Sequence, residues 1–139
     1  MSQLHLGFWM TAVALTSALA VGSLQASAED PRTILDRVYS VPQSERGQAL
    51  FMKHCISCHQ QIEFAEPSFS ATFEGQTLGD VYGFITSSMP EGNAGSLKPE
   101  EYAAVVAYFL RMGGFPVGAD DMPADKAVLS KIGIVPNPK

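Results

Sequence analysis

The first 28 residues, MSQLHLGFWMTAVALTSALAVGSLQASA, contain no Asp, Glu, Lys or Arg. All 14 acidic side chains and all 9 lysines and arginines therefore lie in residues 29–139. An uncharged apolar opening that ends in Ala26-Ser27-Ala28 reads as a secretory leader with a small-x-small cleavage site. The apolar run from Leu6 to Leu24 approaches the roughly 20 residues that span a bilayer. Thr, Ser and Ala dilute it, so cleavage is expected and a retained membrane anchor is the alternative.

Cysteine is scarce as well, with two in 139 residues, and no Cys or His follows His59. Two cysteines rule out a disulfide framework. A bridge between Cys55 and Cys58 would close a very short loop and add little stability. Basic charge is also short. A net charge of −5 and a pI near 5.0 argue against nucleic acid as a partner. No alternating strand pattern, internal repeat or low-complexity block occurs, so the expected fold class is all-α, a single small globule.

Helical signals divide the chain. Ser44 to His54 has a possible Ser44 cap and apolar Ala49, Leu50 and Met52, and predicts a helix leading into the cysteines. Gln60 to Gly75, broken by Pro67 and Gly75, reads as an irregular loop. Thr77 to Ser88 places Leu78, Val81, Tyr82 and Ile85 at helical spacing, and Pro90 biases Met89 toward an extended conformation. Pro99-Glu100-Glu101-Tyr102 opens the strongest helix, with Val105, Val106, Phe109 and Leu110 on its stripe and Gly113-Gly114 stopping it. Phe115 to Lys139 reads as a tail wrapped over the surface, with a weak helical run near Asp125 to Ile132. The expected organisation is a leader over 1–28, an N-terminal extension over 29–43, a central domain over 44–114 and a C-terminal tail over 115–139.

The chemistry concentrates in His54-Cys55-Ile56-Ser57-Cys58-His59. A structural zinc site needs four ligands, and no second ligand pair follows downstream. A thioredoxin-like dithiol needs a βαβ frame, and no strands are predicted. Covalent haem attachment fits the spacing: Cys55 and Cys58 share one face of a helical turn and can form thioethers, and the adjacent His59 can reach the iron. His54 reads as the exposed end of a helix. Four methionines compete for the sixth iron position. Met52 and Met112 read as packing, and Met122 lies in the tail. Met89 stands 30 residues after His59, follows a helix and is held extended by Pro90, so it is the expected axial ligand. Glu63, Glu66 and Asp80 read as solvated surface acids rather than catalytic ones.

Cys-Ile-Ser-Cys-His, Thr77-Leu78-Gly79-Asp80, Met89-Pro90, Gly95-Ser96-Leu97, Pro99-Glu100-Glu101-Tyr102 and Val105-Val106-Ala107-Tyr108-Phe109-Leu110 together resemble class I cytochromes c. The similarity is nearest to small monohaem domains that serve, or are fused to, bacterial quinoprotein dehydrogenases, and it covers about Ser44 to Pro123. The resemblance implies a helical globule around one covalently bound haem c, its iron held by His59 and Met89. It implies that N- and C-terminal helices cross with Gly47 and Phe51 against Val105 and Tyr108. It also implies that Pro67 offers its carbonyl to the His59 ring. Lys98 departs from the family, which often carries a capping Ser or Thr there.

The function expected from these readings is electron transfer without catalysis by the polypeptide. A periplasmic carrier would take single electrons from a dehydrogenase and pass them to a cytochrome or oxidase. It would be either free or a fixed subunit of the dehydrogenase, and membrane-bound only if its leader is retained. The alternative is a haem enzyme or gas sensor whose sixth ligand leaves easily.

Overall fold

The computed structural model describes residues 32–138. The leader expected over residues 1–28 lies outside them. Five α-helices and one 3₁₀ turn make up the regular structure of the described residues, with only isolated β-bridges besides. They are α1 (Val41–His54), the 3₁₀ turn (Gln61–Phe64), α2 (Ser68–Phe73), α3 (Leu78–Ser88), α4 (Pro99–Met112) and α5 (Lys126–Leu129).

Helix α1 starts three residues before the expected position. Ser40, not Ser44, is its cap: the Gln43 amide donates to Ser40 Oγ at 3.1 Å. Pro42 in the first turn suits this earlier start, because its missing N–H is one the helix would leave unpaired. Ser44 is fully buried inside α1 and donates to the Val41 carbonyl at 2.8 Å. Helix α3 opens with a reciprocal cap. Asp80 N–H donates to Thr77 Oγ1 at 3.2 Å, and Thr77 N–H donates to Asp80 Oδ2 at 2.8 Å. At α4 the Lys98 departure is offset by Glu101, whose carboxylate accepts from Lys98 N–H at 2.7 Å.

Residues 60–75 are more ordered than their sequence predicts. Phe64, in the 3₁₀ turn, stacks on Phe109 with centroids 4.0 Å apart and planes within 5°. Phe69, in α2, is fully buried. Both elements are too short to display a period, so tertiary contacts rather than local pattern hold them.

Helices α1 and α4 form the centre of the fold. A Cβ built on Gly47 would stand 1.8 Å from the Ala104 carbonyl oxygen and 3.0 Å from Tyr108 Cβ, so only glycine permits this approach. The expected Gly47 contact with Tyr108 is present, and the backbone it touches belongs to Ala104, one residue before Val105. Phe51 is fully buried, with ring centroids 5.6 Å from Tyr108, 5.7 Å from Phe64 and 6.1 Å from Phe109. Burying such a ring contributes roughly 1.5–3 kcal/mol.

The C-terminal segment contributes to the core rather than lying over it. Phe115, Met122, Leu129, Ile132 and Ile134 are all buried and belong to the same cluster as Phe51 and Leu110. The Gln43 side chain donates to the Met122 carbonyl and accepts from the Met122 amide, both at 2.8 Å. Gly133 bridges to Thr33 and to Thr77, which ties the start of the described chain, α3 and the tail together. Gly79 of α3 faces Ser130, where a Cβ would come within 2.1 Å of the hydroxyl. The core thus extends beyond residues 44–114 on both sides.

Candidate haem site

The Cys55–His59 segment continues α1 as a tight turn. Cys55 N–H bonds to the Phe51 carbonyl at 2.8 Å, and the Cys58 and His59 amides both donate to the Cys55 carbonyl, at 3.0 and 2.9 Å. Cys55 is half-buried and Cys58 exposed, and no disulfide joins them.

Cys55, Cys58 and His59 line a cavity of about 770 Å³, within the roughly 300–1,000 Å³ typical of small-molecule and cofactor sites. Its wall is largely apolar: Phe51 comes from α1 and Phe64 from the 3₁₀ turn, Phe73, Val81 and Ile85 come from α2 and α3, and Val105 and Phe109 come from α4. Ile85, Val105 and Phe109 belong to the apolar helical stripes read from the sequence. His54 also lines the cavity, although the sequence reads it as an exposed helix end.

Of the four methionines weighed, Met89 lines the cavity; Met52, Met112 and Met122 do not. Met52 is 49% exposed, so it is not the core residue its position predicts, whereas Met122 is buried on the tail side. Met89 ends α3 in an extended conformation, φ −124° and ψ 152°, as its place before Pro90 predicts. Its amide donates to the Ile85 carbonyl at 2.9 Å, and its own carbonyl accepts from the Tyr102 hydroxyl at 2.7 Å. No local signal links Tyr102 to Met89; packing of α4 against α3 brings them together.

The structure differs from expectation at the His59 ring. The resemblance implies the Pro67 carbonyl as its partner, but that carbonyl accepts from the Ala71 amide at 3.0 Å, in the first turn of α2. The group at His59 is Glu63, with Nδ1 and Oε2 3.1 Å apart. The other carboxylate oxygen of Glu63 accepts from the Gln60 amide at 2.9 Å. The Gln60 amide and the His59 ring hold the Glu63 carboxyl below its ordinary value. Glu66 accepts from the Ser70 hydroxyl at 2.5 Å, and Asp80 serves the α3 cap. The spacing of Glu63, four residues after His59 and three after Gln60, was the only sequence signal for its role.

The donor set fits a covalently held haem. Two thiols on one turn, an imidazole beside them, a thioether in the same cavity and an apolar wall are the groups such a cofactor uses. Residues 42–109 match the family model described as cytochrome c oxidase, cbb3-type, subunit III. No curated protein and no solved structure matches the chain. The helical fold and the family match define a c-type cytochrome, an electron-transfer haem protein with the cytochrome c fold. Its cofactor is covalently bound haem c with iron, and redox proteins are its partners.

Proposed function

We propose that the chain is an exported one-electron carrier in which Cys55 and Cys58 anchor the haem while His59 and Met89 hold its iron. The observation that carries this reading is the gathering of all four side chains on one apolar cavity. Bound iron supplies a one-electron couple, and His/Met ligation raises its potential. The chain's own residues do the rest. Phe51, Phe64 and Phe109 form an aromatic wall against water, so the protein reorganises little when charge changes. The hydrogen bond from Tyr102 holds the Met89 backbone in place. The polypeptide supplies no nucleophile or general base to this role.

The donor we propose is a periplasmic dehydrogenase of the quinoprotein type, on the strength of the sequence resemblance. The acceptor is a cytochrome or terminal oxidase, and the oxidase-subunit description of the matching family supports that end of the chain. Periplasmic location follows from the leader reading of residues 1–28. The net charge of −5 favours a basic docking patch on a partner, with a brief encounter that weakens as salt rises. Among the described residues no helix is long and apolar enough to cross a membrane.

The test is an optical spectrum of the reduced and oxidised protein, with alkaline pyridine treatment to count thioether-linked haem. One such haem is expected, and carbon monoxide should bind the reduced wild type slowly and incompletely at neutral pH. Met89→Ala should lower the potential and admit carbon monoxide readily. Rapid, complete binding by the wild type would favour an enzyme or gas sensor instead.

A further inference from the structure

The geometry points to Glu63 as a positioning residue that keeps the His59 imidazole electron-rich and lowers the reduction potential of the iron. The inference deepens the carrier reading and rests on it. Glu63 makes two bonds with its two oxygens: Oε1 accepts from Gln60 N–H at 2.9 Å, and Oε2 lies 3.1 Å from His59 Nδ1. The first fixes the carboxylate on its own turn, and so presents the second oxygen to the ring. The neighbouring Phe64 clamps that turn, being stacked on Phe109 at 4.0 Å and set edge-on to His59 at 5.8 Å.

An ionised carboxylate only accepts, so the ring proton resides on Nδ1 and the lone pair on Nε2, the nitrogen left for iron. A charged acceptor draws on the Nδ1–H bond more strongly than a neutral carbonyl does, which raises the basicity of the ligand. A more donating imidazole stabilises the oxidised iron, and the potential falls. Among the described residues that line the cavity, the acids are Glu63 and Glu91, and there is no Lys or Arg; His54 is the other titratable side chain on the wall besides His59 and the cysteines. Glu66 is close in sequence, yet its carboxylate is taken up by the Ser70 hydroxyl. It serves as a control of equal charge.

The experiment measures the midpoint potential of the haem-loaded wild type, Glu63→Gln, Glu63→Ala and Glu66→Gln at one pH and ionic strength. Glutamine at 63 keeps an oxygen for the Gln60 amide, so the turn survives. The expected result for Glu63→Gln is a higher potential, with the reduced-to-oxidised ratio at fixed poise rising about tenfold, equivalent to about 59 mV for one electron. Glu66→Gln should change it far less. Glu63→Ala should raise the potential and lower the thermal midpoint together. Equal potentials for wild type and Glu63→Gln, an equal rise with Glu66→Gln, or a Glu63→Ala variant that only melts earlier would each overturn the inference. Absence of thioether-linked haem in the wild type would overturn the carrier reading itself, through a separate signal.

Discussion

The Tyr102 hydroxyl donates to the Met89 carbonyl across 2.7 Å, joining the first turn of α4 to the residue that ends α3. Tyr102 is 3% exposed, so the hydroxyl is aimed by packing, not by solvent. Tyr102→Phe removes the donor, leaves the ring in place and strands a partly buried acceptor, at about 1 kcal/mol. The expected outcome is a slightly lower thermal midpoint and faster carbon monoxide binding to the reduced protein. Unchanged binding kinetics would show that Met89 is held without Tyr102.

Gly47→Ala tests the helix crossing. The added methyl would meet the Ala104 carbonyl oxygen at 1.8 Å, and backbone cannot swing aside as a side-chain tip can. Overpacking of this kind costs about 3 kcal/mol or more. A denaturation midpoint close to that of the wild type would mean that α1 and α4 separate easily.

Gln43→Ala tests whether the tail belongs to the core. It strands the amide and the carbonyl of Met122, a residue only 2% exposed. Each unpaired buried group costs roughly 1–3 kcal/mol, so a loss of about 3 kcal/mol is expected. Protease sensitivity should rise selectively between residues 115 and 125.

Acid stability should depend on Asp121. Hydrogen bonding from the Ser40 hydroxyl, and then the Arg46 guanidinium, holds its carboxyl below the ordinary value. A depressed carboxylate contributes stability that is fully present above the unfolded value near pH 3.9 and is lost as pH falls through the folded one. Asp80 acts in the same direction through the Thr77 hydroxyl. Asp121→Asn should therefore be less stable than wild type at neutral pH, with the gap narrowing as pH drops below about 4. A gap that stays constant with pH would remove the ion pair and hydrogen bond from the account.

Much of the fold was legible because its signals are local. The Met89-Pro90 step forecast an extended residue, and the Pro99-Glu100-Glu101 start forecast α4. The start of α1 was misplaced because two serines compete as caps and Pro42 decides between them. The 3₁₀ turn and α2 were missed because elements of four and six residues carry no readable period. The tail was read as surface cover because Met122, Leu129, Ile132 and Ile134 follow no sustained period and find partners far away in sequence: Gln43 of α1 bonds the Met122 backbone, Leu78 the Ile132 carbonyl and Gln76 the Ile134 amide.

The sequence by itself determined the cofactor chemistry. Two thiols and an imidazole within five residues stay together whatever the rest of the chain does, since covalent connectivity sets their separation. Tertiary structure alone decided which groups surround them. Met89 meets Tyr102, and Phe64 lies on Phe109, because α3, α4 and the 3₁₀ turn pack around one cavity. The Pro67 carbonyl accepts from the Ala71 amide of α2, and Glu63 stands at the His59 ring, because the turns that carry them are placed by packing in three dimensions.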